Sequence, residues 1–197
     1  MAKNKEKEEK LGWQKNVMLY VHDLMYLLLV VVLLFLLVFR IIVVSGGSMK
    51  MTLLDGDYLL LLSNTFYHTP EQGDIVVISK ESYDNGKPIV KRVIATEGQT
   101  VDIDFDNAIV YVDGTALEED YINVPTTVSG GTAFPLTVAE NCIFVMGDNR
   151  GVSLDSRYPE IGQIDRREVL GKAIFLMYPG TDDGNYPLDF GRVGVVR

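Results

Sequence analysis

The longest apolar stretch of the chain lies close to its N-terminus. Residues 24–39 carry no charge, and after Arg40 the apolar run resumes over residues 41–44. As one helix, residues 24–44 would be roughly 31 Å long at about 1.5 Å per residue, which matches a hydrocarbon core of about 30 Å. The pattern predicts a transmembrane anchor over residues 24–44, with Arg40 reaching the interface through its long stem.

Beyond residue 44 the pattern changes to short β-branched runs separated by turn residues such as Asp113-Gly114. No long amphipathic helical pattern appears in this part of the sequence. We therefore expect a mostly β fold, a single antiparallel sheet domain over residues 45–197 behind one N-terminal transmembrane helix. The runs that predict strands lie at residues 58–62, 74–79, 89–94, 101–103, 109–112, 142–146 and 169–177.

Basic residues near the anchor predict its orientation. Residues 1–23 carry five lysines, whereas only Arg40 and Lys50 lie within reach on the other side. Because Lys and Arg mark the cytoplasmic side, we expect residues 1–23 to form a cytoplasmic Lys/Glu-rich tail. Residues 45–197 would then be extracytoplasmic, held to the plasma membrane by a single span. A cleaved signal peptide is the alternative, but its apolar core is about 7–15 residues and it ends at a small-x-small site that is lacking here.

Composition excludes several classes of function. The net charge of −9 and a pI near 4.7 argue against nucleic-acid binding, which needs a basic surface. Cys142 is the single cysteine, which rules out an intrachain disulfide and a cysteine-based metal centre. His22 and His68 are the two histidines, so a His-rich metal site is excluded as well. We expect no metal and no cofactor, and any nucleophilic chemistry must use very few imidazoles or none.

Three segments carry residues that could do chemistry. Ser48 lies in a Gly/Ser-rich stretch that follows the anchor, where glycines give the backbone freedom to present a hydroxyl; a plain linker has the same appearance. Lys91 and Arg92 alternate with apolar residues, so one of them shares a strand face with apolar neighbours. Burial lowers the pKa of a lysine and can make it a general base, although an edge-strand lysine is the commoner case.

The third segment, residues 145–157, runs from an apolar strand into a polar loop that contains Ser153. A turn held together by Asp–Arg pairs would look the same. A serine, a neutral lysine and a second hydroxyl are nevertheless sufficient for nucleophilic acyl transfer without histidine, provided that backbone N–H groups stabilise the oxyanion.

Four blocks in this order behind an N-terminal anchor resemble type I signal peptidases. The last block is long and highly specific, and the match spans residues 40–175. The blocks are Ser48-Met49-x-x-Thr52-Leu53, Gly73-Asp74-Ile75-Val76, Lys91-Arg92-Val93-Ile94 and Gly147-Asp148-Asn149-Arg150-x-x-Ser153-x-Asp155-Ser156-Arg157.

The resemblance implies a role for each matching residue. Ser48 would be the nucleophile, Lys91 its general base, and Ser153 would hold the lysine amine in place. A charged scaffold under the site would consist of Asp155 and Arg157, together with Arg92. The oxyanion would bind the Ser48 backbone N–H.

This chain departs from the family at two positions near the nucleophile, and one further residue is expected to line the substrate pocket. Some members of the family carry a hydroxyl two residues before the nucleophile, where this chain has Gly46, and most carry proline where it has Met51. We expect Met49 to line a shallow apolar pocket for small side chains.

The function that the resemblance implies is a membrane-anchored serine endopeptidase, a monomer that cleaves signal peptides from exported preproteins at A-x-A-like sites. Its partners would be these signal peptides and the lipid bilayer, with no nucleic acid. Two alternatives stay open. One is a catalytically silent, anchored β domain that binds partners at the cell surface, and the other is a Ser/Lys enzyme of a different kind, such as a repressor-type autoprotease.

Overall fold

A computed structural model describes residues 2–196, so Met1 and Arg197, the outer ends of the predicted ranges 1–23 and 45–197, lie outside the described residues. A long helix, α1 (Ala2–Val38), opens the chain. Its part from Lys15 to Val38, 24 residues, is long and apolar enough to cross a membrane. The chain divides into two compact units, with the boundary between Val38 and Phe39.

The helix ends earlier than the predicted anchor. Residues 39–43, which the sequence assigned to the anchor over 24–44, form strand β1 (Phe39–Val43) and pair antiparallel with β2 (Tyr58–Ser63). The apolar run 41–44 consists of β-branched residues, which favour a strand once a partner strand is present. Hydropathy alone does not separate such a strand from the last turn of a membrane helix, so the C-terminal limit of the anchor was predicted too late.

The second unit is mostly β, as predicted, and its described strands pair antiparallel in two sheets. The larger sheet has the order β1-β2-β11-β3-β4-β9-β10, with β12 added to β11, and the smaller has the order β7-β6-β5-β8. The remaining strands are β3 (Ile75–Ile78), β4 (Ile89–Thr96), β5 (Thr100–Asp104), β6 (Ile109–Val112), β7 (Thr115–Ala116), β8 (Leu136–Thr137), β9 (Cys142–Met146), β10 (Ile164–Asp165), β11 (Val169–Tyr178) and β12 (Gly194–Val195). Each of the seven predicted runs overlaps one of these strands.

Strand β4 lies in the middle of the larger sheet and carries both basic residues of the third sequence block. It pairs with β3 through residues 89–92 and with β9 through residues 92–96. Every residue from Val90 to Ala95 is buried, because apolar clusters cover both faces of the strand. Lys91 and Arg92 are therefore both buried, although they point to opposite faces, and each needs polar partners of its own.

Candidate active site

Ser48 lies in the connection between β1 and β2, here called the Ser48 turn (residues 44–57). The Leu53 N–H donates to the Met49 carbonyl at 2.8 Å, which closes the turn just after the serine. Asn149 holds it from outside: its backbone N–H donates to the Ser48 carbonyl at 2.9 Å, and its side-chain amide donates to the Gly47 carbonyl at 3.0 Å. Hydrogen bonds to the carbonyls of Gly47, Ser48 and Met49 thus fix the backbone around the serine, and Ser48 itself stays partly exposed.

The structure brings Ser48 and Lys91 into direct contact. The Lys91 Nζ donates to the Ser48 Oγ at 2.7 Å, across 43 positions of the sequence. The side chain of Lys91 comes from the buried stretch of β4, and only 3% of the residue is exposed. A serine hydroxyl and a lysine amine at this distance are within reach of direct proton transfer.

Burial decides the protonation of Lys91. The pKa of its amine is lowered from 10.5 to about 8, mainly because the amine loses hydration in the sheet, and the positive charge of Arg157 acts in the same direction. The carboxylates of Asp155 and Asp148 act in the opposite direction. The neutral form of Lys91, which can accept a proton, is therefore substantially populated in mildly alkaline solution.

The polar loop that follows β9 (residues 147–157) is held by a fully buried ion pair. Arg157 donates through Nε and Nη2 to the two carboxylate oxygens of Asp155, both at 2.9 Å, and neither side chain is exposed. The same carboxylate accepts the Gly147 N–H at 3.0 Å, and Arg157 also donates to the carbonyls of Val128 and Arg150. Breaking such a pair on one side costs about 3–5 kcal/mol, so the loop is rigid where it meets the Ser48 turn.

Ser153 is buried beside the site, yet its hydroxyl does not bind Lys91. Among the residues that the structure describes, the Ser153 Oγ has no hydrogen-bond partner. It lies where a Cβ on Gly147 would be, and the Ser48 carbonyl oxygen is close to the same position. The hydrogen bond to the lysine amine that the resemblance implied is thus absent from this conformation, although the hydroxyl is in the right region.

Arg92, which was expected to join Asp155 and Arg157 in one charged scaffold, forms an ion pair with Asp148. It donates to both carboxylate oxygens of Asp148, at 2.8 and 2.7 Å. Asp148 also accepts the hydroxyl of Thr52 in the Ser48 turn, and the guanidinium of Arg92 stacks on the ring of Tyr121 at 4.0 Å. Two ion pairs therefore support the site, Arg92–Asp148 and Arg157–Asp155, each with its own carboxylate.

Gly46 and Met49 both have partners within the protein, which bears on the expected oxyanion hole and substrate pocket. The Gly46 N–H donates to the Asp55 carboxylate at 2.6 Å, so it is engaged within the turn. Met49 is 1% exposed and packs in the core with Val44 and Leu53. Its side chain therefore does not line a shallow surface pocket, contrary to the expectation from the sequence, because Met49 is the apolar residue that anchors the turn in the core.

Sequence reasoning assigned no role to four residues of the site, namely Thr52, Tyr121, Asp148 and Asn149. Three of them lie inside the quoted blocks, where their polar side chains were a usable signal. Tyr121 lies far from the blocks, and its stacking on Arg92 depends on how the segment after β7 folds back.

Comparison with known proteins gives a consistent family. The family model described as signal peptidase, peptidase S26, matches residues 17–178. "Probable signal peptidase I-1" of Synechocystis is 37% identical over 141 residues, which is 68% of this chain and 68% of that protein. Signal peptidase I of Bacillus licheniformis is 34% identical over 143 residues, covering 68% of this chain and 74% of the relative.

Two further proteins extend the comparison. Signal peptidase I of Streptococcus pneumoniae is 30% identical over 179 residues, covering 72% of this chain and 83% of the relative. The crystal structure of a signal peptidase I from Enterococcus faecalis has 34% identity and a TM-score of 0.43, and the match covers 53% of this chain and 96% of that one.

Proposed function

The chain belongs to the signal peptidase family, peptidase S26, and from that membership we propose that it is a membrane-anchored serine endopeptidase. In this proposal it releases exported preproteins from their signal peptides with a Ser48/Lys91 dyad. The observation that carries the assignment of the dyad is the contact of 2.7 Å between the Lys91 Nζ and the Ser48 Oγ, made by a lysine that burial drives toward its neutral form.

The proposed reaction begins with a neutral Lys91. Its lone pair accepts the hydroxyl proton of Ser48 as the Oγ attacks the carbonyl carbon of the scissile peptide bond, and the Ser48 backbone N–H stabilises the oxyanion that forms. Lys91 then gives the proton to the leaving amine, which leaves an ester between Ser48 and the signal peptide. Water, deprotonated by the same lysine, hydrolyses the ester and restores the serine.

The other predicted site residues position this pair. The Asp155–Arg157 ion pair and the hydrogen bond from Gly147 hold the polar loop, while the Arg92–Asp148 pair reaches the Ser48 turn through Thr52. Ser153 would turn its hydroxyl toward the lysine amine when substrate arrives, since that hydroxyl has no partner in the described part of the chain.

An extended substrate fits the edge of β4 beside Lys91. In the described ladders, β3 pairs with residues 89–92 of β4 and β9 begins to pair only at Arg92. The opposite edge of residues 89–91 is therefore left for a peptide to add as a strand. The substrate we propose is the end of a signal peptide, where small residues of an A-x-A-like site follow an apolar segment.

The helix supports attachment to a membrane. We propose that the apolar part of α1, Lys15–Val38, spans the plasma membrane once, with the lysine-rich N-terminus in the cytoplasm and the β unit outside. The enzyme is proposed to act as a monomer, since Ser48 and Lys91, the two reacting groups, contact each other within one chain.

A cleavage assay tests the proposal. The full chain in lipid vesicles is incubated with a preprotein that carries an A-x-A site, and the mature product is identified by its N-terminal sequence. Ser48→Ala and Lys91→Met should abolish cleavage, whereas the matched controls Ser45→Ala and Lys87→Met, both at exposed positions, should cleave as the wild type does. Absence of cleavage by the wild-type chain would favour a silent β domain that binds partners at the cell surface.

A further inference from the structure

The C-terminal segment of the chain contacts the Ser48 turn independently of the polar loop. This segment, residues 180–192, is here called the C-terminal clamp. The family blocks do not include it, and the family model ends at residue 178.

The centre of these contacts is the carboxylate of Asp57, which is fully buried. It accepts the backbone N–H of Leu54 at 2.8 Å, within the turn, and that of Gly180 at 2.6 Å, from the clamp. Arg192 adds a two-pronged ion pair, with Nη1 at 2.9 Å from one carboxylate oxygen and Nη2 at 2.6 Å from the other. A buried carboxylate with four donors of this kind fixes the elements that supply them.

The clamp reaches the turn at other points nearer to Ser48. Asp182 forms an ion pair of 2.6 Å with Lys50, two residues after the serine, and its backbone N–H donates to the Asp55 carbonyl at 3.1 Å. The Nη2 of Arg192 lies 3.4 Å from the Thr52 carbonyl. A segment that is distant in sequence therefore holds the turn from its middle to its end, at Lys50, Thr52, Asp55 and Asp57.

These contacts add to those that the polar loop makes next to the serine. Asn149 binds the carbonyls of Ser48 and Gly47, and the clamp binds the part of the turn from Lys50 to Asp57. A turn held at residues 47 and 48 alone can tilt about them, whereas one that is also held at residues 50–57 cannot. The position of the Ser48 Oγ over the buried amine of Lys91 thus depends on both sets of contacts.

We propose that the C-terminal clamp is a positioning element of the active site, and that Arg192 is its principal positioning residue. The inference rests on the proposed function, because it concerns the alignment of the Ser48/Lys91 pair. Arg192 makes no contact with the reacting atoms and acts through Asp57 and the turn. Its loss leaves the serine chemically intact but less often aligned, so kcat falls while KM, which depends on the substrate edge of β4, stays unchanged.

Arg192→Ala is the primary test, measured as kcat, KM and the pH dependence of cleavage by the full chain. We expect kcat to fall roughly 10- to 100-fold, the scale reported for small misplacements of reacting groups. The acid limb of the profile should also move to higher pH, because a looser turn admits water to Lys91 and weakens the burial that lowers its pKa. Arg192→Lys keeps the charge but loses the two-pronged geometry, so its kcat should lie between those of the wild type and Arg192→Ala.

The matched control is Arg167→Ala. Arg167 forms a two-pronged ion pair with Asp165, at 2.9 and 2.6 Å, remote from the Ser48 turn. Its removal should change neither kcat nor the acid limb. If Arg192→Ala does not fold, Asp182→Asn decides in its place. It removes the charge that pairs with Lys50, beside a hydrogen bond from Asn185 within the clamp, and should move the acid limb in the same direction by less.

The outcomes separate the two claims. Suppose that the wild type is active, that Ser48→Ala is inactive, and that Arg192→Ala has the same acid limb as the wild type. These results would overturn the positioning role of the clamp and leave the proposed function standing. Equal losses in the Arg192 and Arg167 variants without a shift of the acid limb would overturn it too, because they indicate general destabilisation. An inactive wild-type chain would overturn the proposed function and the clamp with it.

Discussion

Replacing Lys91 with methionine should inactivate the enzyme and at the same time stabilise its fold. Lys91 is buried, and its pKa falls from 10.5 in the unfolded chain to about 8 in the folded one. At about 1.36 kcal/mol per pKa unit, this difference costs the folded state about 3 kcal/mol at pH 7. Methionine fills a similar volume without a charge. The variant loses the hydrogen bond to Ser48, worth about 1 kcal/mol, so the net gain is about 2 kcal/mol.

The pH dependence of this gain has a definite sign. Between pH 8 and 10.5 the unfolded chain holds a proton on Lys91 that the folded chain has released, so the stability of the wild type rises with pH over this window. The advantage of Lys91→Met is full below about pH 8 and declines as the pH approaches 10.5. Above that value both states are neutral and the advantage from the charge disappears.

The assay is denaturant or thermal unfolding of the β unit in the full chain, followed by circular dichroism at pH 7 and at pH 10.5. A gain of about 2 kcal/mol corresponds to a rise in Tm of about 4–8 °C for a protein of this size. Lys87→Met, at an exposed position of the preceding loop, should change stability by less than about 0.5 kcal/mol. A Lys91→Met protein less stable than the wild type at pH 7 would refute the reasoning, because Lys91 would then be stabilised as a cation in the fold.

Two further predictions concern the geometry and the titration of the site. Gly147→Ala places a methyl 2.5 Å from the Ser48 carbonyl, which must move by about 0.5 Å to restore an allowed contact, so kcat should fall on the order of 100-fold. Gly194→Ala, with open space around its Cβ, is the control and should keep the wild-type kcat. Equal activity of the two variants would contradict the tight fit at Gly147. Below about pH 8, where Lys91 is protonated, kcat/KM should decline about tenfold per pH unit, and a flat profile from about pH 5 to 9 would exclude a lysine base.

Much of the β unit could be predicted because most of its longer strands have a recognisable pattern in their own residues. Runs such as 109–112 and 142–146 are apolar or β-branched and end at turn residues, and the observed strands β6 and β9 have the same limits. The two-residue strands, among them β12, could not be found in this way. Their backbone is extended because a longer neighbour offers a pairing edge, as β11 does for β12, and not because of their own composition.

The site was predictable to the extent that it resides in sequence blocks. Ser48 and Lys91 were paired by the resemblance, and the fold brings them to hydrogen-bonding distance. The double burial of Lys91 and Arg92 was not foreseen, since alternation predicts one buried face and β4 has both faces covered. The ion pair between Asp57 and Arg192 spans 135 positions and forms only after the sheet has assembled, so no local sequence pattern predicts it.

The central claim, that Ser48 is the nucleophile and a neutral Lys91 its base, is tested most directly by trapping the covalent intermediate. The enzyme is mixed with a preprotein that carries an A-x-A site, quenched in acid within one turnover, digested and analysed by mass spectrometry. We predict an ester adduct of the signal peptide on the Ser48 Oγ in the wild type, and none in Lys91→Met. Cleaved product with no adduct on Ser48, or with an adduct on another residue, would contradict the account.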